Sequence, residues 1–277
     1  MSQATGKAAG MVAIPRPPKF LKTKRARQIW SYLLAALDQA KLDYRSSLTG
    51  IALLSEKVDS WRTHADALAV IGERYEEDRN GGSLEYDESI AERRMRVEIL
   101  RDLDEFGLTG LSVARIRVVD ALSNQADLFS PFELADQLAH GDGDELLMPD
   151  PPPWTMRPKE KKVWKEILPL LDGSGFDYST AGLSLGLLAS AIADWQDCQD
   201  WIADHKGRVF VASEDTGRTY EVSASYNRSK IAKQIRDLLK KNGMTVAACA
   251  KQKAISKGRT ISPELAELLG FINERPD

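Results

Sequence analysis

The sequence predicts a mainly α-helical protein built from two tandem copies of one unit. Each unit is a helical hairpin, then a small β-hairpin, then a third helix, and short terminal helices complete the chain. Three observations carry this prediction. Sliding the chain by 134 residues places Pro17-Pro18 on Pro151-Pro152, Phe20 on Trp154, Trp30 on Trp164, Leu34 on Leu168, Asp43-Tyr44 on Asp177-Tyr178 and Trp61 on Trp195, with no gap. The chain has only six tryptophans, so two coincidences at one offset mark an internal duplication. Apolar residues recur at helical spacing in both copies, and a glycine-centred turn follows each long helix.

The first helix is predicted over 23–37, buried through Ile29, Trp30, Leu33, Leu34 and Leu37. A turn around LDYRSS precedes a long helix in which Ile51, Leu54, Val58, Trp61, Ala65 and Leu68 recur at spacings of three and four. That is the seam of a helix packed on a partner. The second copy repeats it with Leu185, Leu188, Ile192, Trp195, Gln199 and Ile202. Next come two β-rich runs around Asp215-Thr216-Gly217 and, with weaker strands, around Asn80-Gly81, the residues short hairpins favour. Past residue 72 the offset becomes 136, and third helices are expected over about 88–105 and 226–241, each stopped by a glycine, Gly107 or Gly243. The resulting organisation is an unstructured Ala/Gly-rich arm (1–16), a first unit (17–119), an acidic linker with a short helix (120–150), a second unit (151–252), and a basic segment with a C-terminal helix (253–277).

Composition narrows function. No apolar run approaches the roughly 20 residues of a membrane span, and no signal-peptide pattern opens the chain, so a cytosolic protein is expected. Two cysteines and three histidines show no metal spacing, and phosphate-loop, G-x-S-x-G and H-E-x-x-H patterns are absent. GDGDELLMPD (141–150) lacks the alternating ligands of a calcium loop and reads as linker. The expectation is a non-enzyme that needs neither cofactor nor metal.

The net charge of −3 conceals segregated blocks. Residues 1–37 hold seven Lys or Arg and no acid, 120–150 hold eight acids and no base, and 228–259 hold ten bases against Asp237 alone. Such blocks set the local field that a polyanion meets. Lys19, Lys22, Lys24, Arg25 and Arg27 lead into the first helix, and Arg157, Lys159, Lys161 and Lys162 lead into its copy, where helix N-termini add N–H donors for phosphate. Lys251, Lys253, Lys257 and Arg259 extend the set. Contacts of this kind give salt-dependent affinity for DNA without reading bases.

The order of features resembles phage terminase small subunits of the helical type encoded beside the packaging motor. The resemblance rests on the proline–aromatic lead-in, a Trp-bearing first helix, a long second helix with a second Trp, a Gly-containing β-hairpin, and a helix ending in GLTGLSVARIR (107–117), more faintly GMTVAACAKQK (243–253). Gly110 stands where that family usually has proline, and the tandem duplication is a further departure. The resemblance implies a protein of the host cytoplasm that binds double-stranded viral DNA, assembles into a ring-like homo-oligomer, and delivers the DNA to the large-subunit ATPase and nuclease. The C-terminal helix after Ser262-Pro263, with apolar Leu265, Leu268, Leu269, Phe271 and Ile272, is the expected dock for that large subunit. A duplicated helical adaptor that binds no nucleic acid is the alternative. A helix-turn-helix regulator fits poorly, because the seam helix is too long for a recognition pair.

Overall fold

The computed structural model describes residues 15–40, 42–110, 112, 148–171 and 178–245. Among them are six α-helices and two antiparallel β-hairpins, a mainly α fold. The first copy contributes α1 (Lys24–Gln39), α2 (Leu48–Ile71), β1 (Tyr75–Glu77), β2 (Ser83–Glu85) and α3 (Asp87–Glu105). The second contributes α4 (Pro158–Leu171), α5 (Gly182–Asp204), β3 (Phe210–Ala212), β4 (Thr219–Glu221) and α6 (Ser223–Lys241). No helix among the described residues is long and apolar enough to cross a membrane.

Local chemistry sets these bounds. Thr23 caps α1, its Oγ1 accepting from the Ala26 N–H at 3.0 Å. At the start of α4 the same capping position is Arg157, and its N–H donates instead to Glu160 Oε2 at 2.8 Å. The third helices end alike. Gly107 and Gly243 adopt φ of 76° and 71°, a left-handed conformation cheap only for glycine. The next N–H, of Leu108 or Met244, then turns back onto Leu103 or Leu239 O at 2.8 Å. The α1–α2 clamp also recurs at the sequence offset. Arg25 binds Thr63 and Asp66, while Lys159 binds Asp197 and Asp200.

The two copies share one apolar core. It runs from Ile29, Trp30, Leu54, Val58 and Trp61 through Trp154 to Trp164, Leu185, Leu188 and Ile231. Trp61 meets Trp154 edge-on at 5.3 Å, and the Tyr32 hydroxyl donates to Asp150 O at 2.7 Å. Tyr75 is buried against Trp201, its hydroxyl 3.0 Å from Cys198 Sγ. Arg96 on α3 bonds Ser190 and Asp194 on α5, and Gln234 on α6 donates to Arg93 O at 3.3 Å. The first copy thus lays its α3 and first hairpin onto α5 and α6 of the second.

That joint is head-to-tail, and among the described residues the reverse contact is not made. Leu187, Ser190 and Asp194 are buried, the last two bonded to Arg96 of α3, whereas their counterparts Leu53, Glu56 and Ser60 on α2 are exposed. The asymmetry corrects one sequence expectation. The first seam is buried throughout, but in the second Ile192, Trp195 and Gln199 are only half-buried, and Ala191, Asp194 and Cys198 are enclosed instead. Helix α5 lies between its own copy and α3, so its buried side is turned toward the joint. The expected limits at 119 and 252, the linker up to 147, the C-terminal segment and nearly all of the N-terminal arm lie outside the described residues. Pro15, the first described residue, accepts from Trp30 Nε1 at 3.2 Å, so packing begins ahead of the expected boundary at Pro17.

Candidate nucleic-acid interface

The two basic lead-ins, 134 residues apart in sequence, converge on the same turns of α2. From the first lead-in, Arg25 Nε reaches Asp59 at 2.5 Å, and its Nη1 reaches Asp66. From the other side Arg62 donates to Thr155 O at 2.7 Å and to Glu160 Oε2 at 3.2 Å. Asp66 also accepts from Arg62 at 3.1 Å, so a continuous run of ion pairs ties the start of α1 to the start of α4.

Of the predicted phosphate-binding residues, Lys19, Lys22, Lys24, Arg27, Lys161 and Lys162 are exposed and pair with no carboxylate among the described residues. Arg27 Nε donates to Leu21 O at 2.8 Å, which leaves its Nη groups toward solvent. Three others are paired with carboxylates of the chain itself. Arg25 is held by Asp59, Thr63 and Asp66. Lys159 is held by Asp197 at 2.6 Å and Asp200 at 2.5 Å. Arg157 is half-buried, bound to Glu160 at 2.9 Å and Asp194 at 2.6 Å. A cation already neutralised at hydrogen-bond distance has little field left for a phosphate. Lys251, Lys253, Lys257, Arg259, Leu265, Leu268, Leu269, Phe271 and Ile272 lie outside the described residues.

Sequence reasoning left the exposed face of α6 out of its site set. Lys230, Lys233, Arg236 and Lys240 stand on that face without a carboxylate partner among the described residues, and Lys230 Nζ sits 4.1 Å from the Tyr226 ring centroid. Lys241, by contrast, is paired to Asp104 on α3. The signal was visible as a basic i, i+3, i+7 pattern. The equivalent positions on α3 are Arg94, Val97, Leu100 and Asp104, so the two third helices have diverged.

Arg157 belongs to a buried charge cluster at the joint, with Arg62, Arg74, Arg96, Glu92, Glu160 and Asp194. Burial alone would raise the Asp194 carboxyl, but Arg74, Arg96 and Arg157 outweigh it and hold the group well below the usual carboxylate range. Beside the cluster opens a cleft of 810 Å³, lined by Arg74, Tyr75, Lys159, Asp197, Trp201 and His205 among others. Burial pushes the nearby Cys198 thiol up to about 11, so at neutral pH it is a protonated core group and no nucleophile. Among the described residues, no three His, Cys, Asp or Glu side chains are grouped to hold a metal ion.

Comparison with protein-family models, curated proteins and solved structures returns no match. The site therefore rests on its own geometry. It offers cations at two adjoining helix starts, a chemistry that a run of phosphates can meet.

Proposed function

We propose that this chain is the DNA-binding small subunit of a phage terminase, binding duplex viral DNA and presenting it to a large-subunit packaging motor. The supporting observation is the convergence of both basic lead-ins on Asp59–Asp66 of α2, which gathers Lys22, Lys24, Lys161 and Lys162, all exposed and without a carboxylate partner among the described residues, at adjoining helix N-termini. Phosphates gain from lysine charge and from helix N-terminal N–H groups together. The overall acidity, with pI near 5.8, does not oppose this, because association responds to the local field.

Fluorescence anisotropy with a duplex from the region of this protein's own gene tests the reading. The quadruple Lys22→Glu, Lys24→Glu, Lys161→Glu, Lys162→Glu variant is expected to bind at least about tenfold more weakly, with a salt slope shallower by roughly 3–4. Arg218→Glu, on the exposed tip of the second hairpin, is expected to leave both unchanged. Equal binding by the quadruple variant would remove the lead-ins from the interface. No binding by the native chain would favour the adaptor reading instead.

A further inference from the structure

The joint inside the chain has a donor side and an acceptor side, and each side exists twice. Inside the chain, α3 of the first copy is the donor and the α5–α6 surface of the second copy is the acceptor. The spare acceptor is the equivalent surface of the first copy. It is an open groove of 640 Å³ between α2 and α3, lined by Gly50, Leu53, Lys57, Ser60, Met95 and Phe106 among others. Leu53 in it is 56 % exposed, whereas its counterpart Leu187 is 0 % exposed. The spare donor is the equivalent face of the second copy. Tyr75 in the internal donor is 2 % exposed, and Phe210, which occupies the same place in the second hairpin, is 60 % exposed. Ser229, Lys233, Arg236 and Lys240, the counterparts of Arg93, Val97, Leu100 and Asp104, are exposed as well.

We infer that a second copy of this chain docks its α6 and second hairpin into the α2–α3 groove of the first, repeating the internal joint between chains. Three contacts inside the chain have counterparts that match across such a junction. The Asp104–Lys241 ion pair becomes Lys240 with Glu105, the same pair with its signs exchanged. At the positions of the Tyr32 hydroxyl bond to the Asp150 carbonyl stand Glu166 and Arg16, both exposed and of opposite charge, so that a side-chain ion pair takes the place of that bond. The Trp61–Trp154 edge contact becomes Trp195 with Phe20, which is 40 % exposed. The groove carries Glu56, Asp102 and Glu105 against one Lys57, and the incoming helix face carries Lys233, Arg236 and Lys240. Opposite charge at both surfaces favours this encounter over donor with donor or groove with groove. A head-to-tail contact of this kind closes into a ring or runs on as a filament, according to its rotation.

The self-association expected from the resemblance thereby gains a defined interface, which stands on repeat geometry and does not rest on DNA binding. The test is sedimentation velocity of the full-length chain without DNA, over a concentration series. The native chain is expected to show mass-action assembly. Leu53→Arg is expected to leave only the single-chain species while retaining the native melting temperature, because the side chain is already exposed. Glu105→Lys and Lys240→Glu are each expected to weaken assembly several-fold, and the Glu105→Lys, Lys240→Glu double variant to restore it. A native chain that stays single at every concentration, or assembly indifferent to Leu53→Arg, overturns the inference. Lack of restoration by the double variant overturns the pairing of Lys240 with Glu105. DNA anisotropy on the Leu53→Arg variant separates the two readings, since its lysine lead-ins are untouched.

Discussion

Replacing Asp194 by Asn is expected to cost about 3–5 kcal/mol of folding stability, the range for breaking a buried ion pair from one side. Asp194 is 1 % exposed and faces three guanidinium groups: Arg74 at 2.5 Å, Arg157 at 2.6 Å and Arg96. Without its charge, four buried or half-buried arginines share only Glu92 and Glu160 as enclosed carboxylates. The counterpart in the first copy is the exposed Ser60, where Ser60→Ala is expected to change stability by less than about 0.5 kcal/mol. Urea unfolding of the two variants measures the contrast. A near-native Asp194→Asn would show that the cluster is not closed by this carboxylate.

The same group sets an acid limit. The folded Asp194 carboxyl lies below its unfolded value, and Glu160 is likewise lowered: burial would raise it, but Arg157 and Arg62 prevail. A depressed carboxyl contributes stability that is fully present above the unfolded pKa and is lost as pH falls through the folded one. Stability should therefore hold down to the ordinary carboxylate pKa of about 4 and decline below it. Asp194→Asn, lacking that titration, is expected to start lower and to lose less as pH falls from about 5 to about 2. An equally steep loss in both proteins would assign the acid response to other carboxylates.

Trp61→Ala is expected to cost about 3–5 kcal/mol, as truncation of a fully enclosed tryptophan does. Trp61 is 0 % exposed, packs edge-on against Trp154, and donates from Nε1 to Glu92 Oε1 at 3.0 Å. Its loss opens a cavity at the joint and removes a donor from a buried carboxylate. Trp195→Ala, at the matching position of the second copy, is expected to cost no more than about 2 kcal/mol, because that ring is half-buried. Thermal unfolding of both variants decides it. Equal losses would mean that the two tryptophans carry equal packing despite their different exposure.

Much of the fold was legible in residue order. Helical periodicity located α1 and α2, Asn80-Gly81 and Asp215-Thr216-Gly217 located the hairpins, and Gly107 and Gly243 marked where α3 and α6 stop. The candidate interface was legible in part. Lys22, Lys24, Lys161 and Lys162 are exposed as basic helix starts should be, but Arg25, Arg157 and Lys159 belong to the protein's own ion pairs. Apart from Glu160, three residues from Arg157, their acceptors lie 34 to 41 residues away, on the next helix of the same copy. In sequence these cations look like their neighbours.

The sequence by itself determined the duplication, the kind and order of elements in each copy, and the points where helices end. Those properties follow from side chains a few residues apart, through period, capping and turn conformation. Only the tertiary structure decided that the copies join head-to-tail, that Asp194 and Arg96 are core residues, and which groove remains open. Arg96 and Asp194 are 98 residues apart, and each would read as surface alone. A buried charge is stable only beside its partner, so its place is settled when the two copies close on one another.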